Sequence, residues 1–117
     1  MFDMHSMKQA IERADADSLI GMYADDAEMV IIDRNTPPSM PMRLRGKEAI
    51  AGFWRDVCGR NMSHNVHHEM QDSQHAAFVE DCVYPDGCHV TSAMMLDLRD
   101  GHIARHMAVQ AWDDAKQ

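Results

Sequence analysis

From residue 62 to residue 112 the chain repeats one texture. Four β-compatible segments, roughly 62–71, 76–84, 88–98 and 102–112, are divided by the turn signals Asp72-Ser73, Pro85-Asp86-Gly87 and Asp100-Gly101. Connections this short cannot carry a crossover, so each segment must pair antiparallel with the next, and the second half of the chain reads as a meander. An antiparallel meander buries one face only when something covers it. The first half of the chain supplies the cover.

There the hydrophobic period is helical. Met4, Met7, Ala10, Ile11 and Ala14 form one stripe, and a second short helix is expected over residues 18–24, capped by Asp15 or Asp17 with Leu19, Ile20 and Tyr23 buried. AEMVIID, residues 27–33, reads as a strand. RNTPPSMPM holds three of the four prolines and reads as a loop or ragged edge, the loop able to cover a pocket mouth. In KEAIAGFWRDVCGR, the residues Ile50, Phe53, Trp54 and Val57 fall at i, i+3, i+4 and i+7, the clearest amphipathic helix in the sequence. Helices first and strands last, in 117 residues, predict a single α+β domain spanning 1–117, with helices on one face of the sheet.

The charge balance narrows the partners. Nineteen acidic against eleven basic side chains give a net charge of -8 with no basic run, a surface that repels phosphate and argues against nucleic acid or an anionic membrane. No apolar stretch approaches a membrane span, and MFDMHSMKQA lacks the regions of a signal peptide. Cys58, Cys82 and Cys88 are odd in number and have no CxxC spacing, so a reducing cytoplasm is the expected setting, without a disulfide framework.

SLIGMYADDAEMV, then GKEAIAGFWRDV after a proline-bearing loop, then AAFVE and LDLRDGHIARHMAVQAWD, resemble in order the nuclear transport factor 2-like superfamily and its SnoaL-like, ketosteroid-isomerase-like branch. The resemblance implies a cone: a strongly curved antiparallel or mixed sheet wrapped around three helices from the N-terminal half, with a small-molecule pocket at its open end. It also implies a homodimer through the outer sheet face. Ketosteroid isomerases place a tyrosine in the first helix, a general-base aspartate on the first strand and a protonated aspartic acid on a late strand. Met7, Ile31 and Met94 hold those places here, so that mechanism is not expected. The superfamily includes isomerases, cyclases and dehydratases as well as members without catalysis, and fold alone does not choose among them.

Strand alternation selects the residues for a site. His102, Ala104, His106, Ala108, Gln110 and Trp112 share one face of the last segment, and the resemblance turns the His106 face inward. By the same alternation Phe78, Glu80, Cys82 and Tyr84 share a face, as do Val90, Ser92, Met94 and Leu96, and as do His64, Val66 and His68. Trp54 and Phe53 would close the floor. Histidine beside a carboxylate in an apolar cavity moves protons near neutral pH. His106 with His64, aided by Asp33 or Glu80 and with Tyr84 as hydrogen-bond donor, is the expected catalytic group; Trp54, Phe53, Phe78, Glu80, Tyr84, Met94 and His68 are the expected substrate contacts. No cofactor or metal is expected, since HEMQD lacks the second histidine of HExxH. A three-nitrogen set of His64, His68 and His106 is the lesser alternative. The function implied is isomerisation, cyclisation or dehydration of a mostly apolar small molecule, with a non-catalytic binding or dimerisation module as the alternative.

Overall fold

The computed structural model describes residues 1–113; residues 114–117, the last four of the expected domain, lie outside it. Three helices come from the first half: α1 (Met4–Glu12), α2 (Ala16–Ile20) and α3 (Lys47–Gly59). Six strands follow in chain order: β1 (Tyr23–Ile32), β2 (Met42–Arg45), β3 (Ser63–Gln71), β4 (His75–Val83), β5 (His89–Arg99) and β6 (His102–Trp112). They form one curved, open sheet in the order β2-β1-β6-β5-β4-β3. Every neighbouring pair is antiparallel except β1 and β6, which run parallel. The fold is therefore α+β with a mixed sheet.

Local chemistry starts and stops these elements. Asp3 accepts from the Ser6 amide at 2.9 Å and caps α1, while Asp15 accepts from the Ser18 amide at 3.2 Å and caps α2. The α2 helix ends at Ile20, and Tyr23 opens β1 instead of lying on the helix as expected. Leu19, Ile20 and Tyr23 keep helical spacing, but tertiary pairing of Tyr23 with Ile103 wins over that local pattern. The proline-bearing segment is a loop as far as Pro41; its last residue, Met42, opens β2, which runs on to Arg45 and pairs with β1 as an edge strand.

Between α1 and the other sheet edge, β3, the contacts are polar as well as apolar. The Val66 amide donates to Glu12 Oε2 at 2.9 Å, and the Met4 amide donates to Gln71 Oε1 at 2.8 Å. These bonds occupy backbone and side-chain groups on an otherwise open edge. Met7, Ile11, Leu19, Ile50 and Trp54 from the helices meet Met29, Ile31, Val66, Phe78, Met94 and Leu96 from the concave sheet face, all buried.

Two β-bulges shift the expected side-chain alternation. On β6 the register steps from Asp97↔Arg105 to Leu98↔Ile103, so Ala104 is the extra residue. Ile103 thereby turns inward and is fully buried, and His102 and Ala104 no longer share the His106 face. On β3 the register shifts between His67 and Met70, with His68 at φ 58. His68 is exposed as a result.

Ile103→Ala should cost about 2–5 kcal/mol, the range for emptying a core position, whereas Val109→Ala on the outer face should cost about 0.5 kcal/mol or less. Urea unfolding of the two variants checks this; equal small losses would contradict the inward turn of Ile103.

Candidate functional site

A cavity of about 420 Å³ opens between the concave sheet face and α3. Ile31 of β1, Met42 and Leu44 of β2, Phe53, Trp54 and Val57 of α3, and Val90 and Met94 of β5 give it an apolar wall. Alternation puts Glu80, Cys82 and Ser92 on the same wall, as buried polar groups. Phe53 and Trp54 meet edge to face with centroids 5.2 Å apart and line it from the helix side.

The polar centre is a cluster across β3 and β4. His64 lies directly opposite Cys82 in the antiparallel register, and Glu80 is two residues away on the same face. His64 Nδ1 is 2.8 Å from Glu80 Oε2, and both side chains are 3% exposed. The Cys82 thiol donates to the same Oε2 at 3.1 Å and lies 3.4 Å from His64 Nδ1. A carboxylate accepts only, so the imidazole proton belongs on Nδ1. His64 Nε2, buried, has no hydrogen-bond partner among the described residues. Both hydrogen bonds to the Glu80 carboxylate found among the described residues end on Oε2, which leaves Oε1 uncommitted. Burial, followed by the Glu80 charge and hydrogen bond, pushes the Cys82 thiol well above the ordinary thiol range. In this setting the thiol is a proton donor and no nucleophile.

His106 has different company. It is completely buried and is absent from the cavity wall. Its Nδ1 is 2.8 Å from the Tyr23 hydroxyl, which accepts from Trp54 Nε1 at 2.9 Å. All groups are satisfied when Tyr23 donates to Nδ1 and the imidazole proton sits on Nε2, facing Met94 Sδ at 3.2 Å. Burial pushes the imidazole down to about 3 and the Tyr23 phenol up, so both are neutral in ordinary buffers. The Tyr23 and His106 rings stack with planes 9° apart.

The remaining expected residues divide between wall, core and mouth. Met94 and Tyr84 line the cavity, whereas Phe78 packs in the core beneath it. Asp33 lies at the rim, where burial would raise its pKa but hydrogen bonds from the Thr36 hydroxyl and the Asn35 and Thr36 amides outweigh that and hold it below the usual carboxylate range. Its carboxylate closes the turn after β1. His68 projects away from the wall at its bulge, against the His67 ring. His64, Glu80 and Cys82 therefore converge, while His106, Asp33 and His68 each stand apart from them. At the mouth Arg60 donates to the Tyr84 hydroxyl at 2.9 Å, Tyr84 stacks on Trp112, and the Arg34 guanidinium lies 4.5 Å over the Trp112 ring.

Sequence reasoning offered Glu80, or Asp33, as the carboxylate aiding His64 and placed Cys82 on the Glu80 face, but it centred the group on His106 and did not bring Cys82 to His64. The partners are 16 and 18 residues apart in sequence, and their meeting depends on the β3 bulge.

A SnoaL-like domain family model matches residues 5–106. In solved structures the chain is similar to an NTF2-like protein of unknown function from Mesorhizobium loti, with 16% identity, a TM-score of 0.79, and coverage of 92% of this chain and 87% of that one. It is also similar to a putative ketosteroid isomerase from Kribbella flavida, with 15% identity, a TM-score of 0.75, and coverage of 97% and 76%. A third similar structure, an NTF2-like protein from Burkholderia xenovorans, has 17% identity, a TM-score of 0.74, and coverage of 97% and 81%. At these identities the likeness carries the fold. No curated protein matches the sequence.

The buried imidazole makes a pH prediction. With the folded pKa near 3 and the unfolded value near the ordinary 6.5, the unfolded chain binds the extra proton between those limits. Stability is therefore complete above about pH 6.5 and falls as pH drops toward 3, with a slope approaching about 1.4 kcal/mol per pH unit from this one group. In His106→Gln the acid limb of stability, followed by urea unfolding from pH 7 to pH 4, should be flatter by about that slope.

Proposed function

The chain belongs to the SnoaL-like domain family of the nuclear transport factor 2-like superfamily, and on that premise we propose that it binds a compact, mostly apolar small molecule in the concave cavity and moves a proton on it with Glu80. The observation that carries this reading is the buried His64–Glu80 pair, 2.8 Å apart, beside an apolar cavity. About 420 Å³ falls within the roughly 300–1,000 Å³ typical of small-molecule sites.

Glu80 is the base in this reading. His64 and the Cys82 thiol hold Oε2, and Oε1 takes a proton from a carbon next to a carbonyl. Isomerisation, dehydration and aldol-type cyclisation all begin with that step, so the reading fits the three reaction types together. Ser92 sits directly opposite Glu80 in the β4–β5 ladder and faces the same cavity, where its hydroxyl can donate to the developing enolate oxygen. Tyr84 accepts from Arg60, so its own proton is free for a polar group at the outer end of the ligand. His64 positions the carboxylate, while His106 holds the wall from behind through Tyr23 and Met94. Asp33 serves the rim turn.

The same reading includes a homodimer through the outer sheet face. Met95 and Val109 are 41% and 40% exposed there, flanked by Ala93 and Met107, and apolar neighbours of this kind suit a partner surface.

Compact ketones test the chemistry. Exchange of the α-hydrogens of 2-tetralone for deuterium, followed by proton NMR, should be accelerated by the protein. Glu80→Gln should reduce that acceleration by a factor on the order of 10² or more, in line with loss of a general base; full exchange in the variant would remove Glu80 from the mechanism. Sedimentation should give twice the 13.3 kDa chain mass, and Val109→Asp should return the protein to the monomer mass. A monomer at micromolar concentration without substitution would dismiss the dimer.

A further inference from the structure

The Cys82 thiol and Glu80 carboxylate on the cavity wall, with the His64 imidazole against them, are also a ligand set. We propose that Cys82 Sγ, His64 Nδ1 and Glu80 Oε2 bind one thiophilic divalent cation of the zinc class, with its fourth position open to the cavity.

Three features support this. The donor atoms are mutually close, at 2.8, 3.1 and 3.4 Å, and all belong to buried or nearly buried side chains. Tetrahedral bonding at metal distances of about 2.0–2.3 Å spaces such atoms about 3.4–3.6 Å apart, so the Cys82–His64 pair is already at that spacing, the Cys82–Glu80 pair opens by about 0.5 Å or less, and the His64–Glu80 pair opens most, by about 0.6 Å. Second, the atoms come from two paired strands, with His64 opposite Cys82 and Glu80 two residues on, so the backbone already fixes the ligand directions. Third, the mixed sulfur, nitrogen and oxygen set suits zinc, and three protein ligands with one open position is the pattern of sites that admit water or a ligand.

Protons balance without a further partner. The Cys82 thiol gives its proton to solvent as the sulfur–metal bond forms. The proton on His64 Nδ1 moves to Nε2, which no described residue holds in either tautomer. Because that second nitrogen also lacks an orienting acceptor, the affinity should fall below that of sites with a complete outer shell. Release of one proton makes the affinity rise about tenfold per pH unit. The metal would replace the two hydrogen bonds that hold Glu80 Oε2 in the proposed proton transfer, yet binding is measured without any substrate, so this inference stands or falls separately from the proposed activity.

Cobalt(II) added to the metal-free wild-type protein should bind one equivalent and give both a thiolate-to-cobalt absorption in the near ultraviolet and the visible bands of a tetrahedral ion. Cys82→Ser should lose the thiolate band, whereas Cys58→Ser and Cys88→Ser should keep it. Zinc K-edge absorption of the wild-type protein requires no variant and should show one sulfur at about 2.3 Å among nitrogen and oxygen neighbours. A first shell without sulfur, a thiolate band that survives in Cys82→Ser, or failure of the wild-type protein to hold one equivalent would each overturn the proposal.

Discussion

The Tyr23 hydroxyl is where the helices are tied to the sheet. It accepts from Trp54 of α3 and reaches His106 of β6, while its own backbone lies in β1. All three rings are at most 1% exposed, so none of these polar atoms can fall back on water. A buried polar chain is stable only when every member is paired, and each member here comes from a different element. The position of α3 over the sheet, and with it the width of the cavity, follows from that requirement. Apolar contacts around Ile50, Met29 and Leu96 give the cohesion, but they would tolerate sliding that the hydrogen bonds do not.

Two histidines on one concave surface thus end in opposite chemical states of usefulness. His106 has a phenol and a thioether as partners and no charge nearby, so burial alone decides its neutrality. His64 faces a carboxylate and a thiol, with one ring nitrogen left over. The difference lies in neighbours and not in depth, since both side chains are almost wholly buried. A cavity that exposes Glu80 while hiding His106 has placed its reactive group on the β3–β4 side and its rigid support on the β1–β6 side.

Much of this arrangement was legible in the residues. The stripe Ile50, Phe53, Trp54, Val57 and the turn signals at Asp72, Gly87 and Gly101 marked α3 and the meander, because period and turn chemistry are local properties. Tyr23 was misplaced because its helical spacing from Leu19 is real but yields to the parallel pairing of β1 with β6, a contact 80 residues away. Met42–Arg45 was hidden by its proline-rich approach. The inward grouping of Glu80, Cys82, Ser92 and Met94 followed from simple alternation along unbroken strands. Ile103 and His68 defeated the same rule, since no residue type announces a bulge in advance.

The β3 bulge reaches further than the one side chain it displaces. Near the hairpin turn Gln71 pairs with Ala76, and had that step continued unbroken His64 would stand opposite Val83 and face outward. The additional residue acts as a vernier on the hairpin, clicking the distal half over by one position so that an imidazole arrives beside Glu80 and Cys82. Substitutions along this strand alter what each tooth carries, but a change of length by a single residue between the bulge and His64 would exchange the strand's inner and outer faces from there on. Within this hairpin, counting matters more than composition.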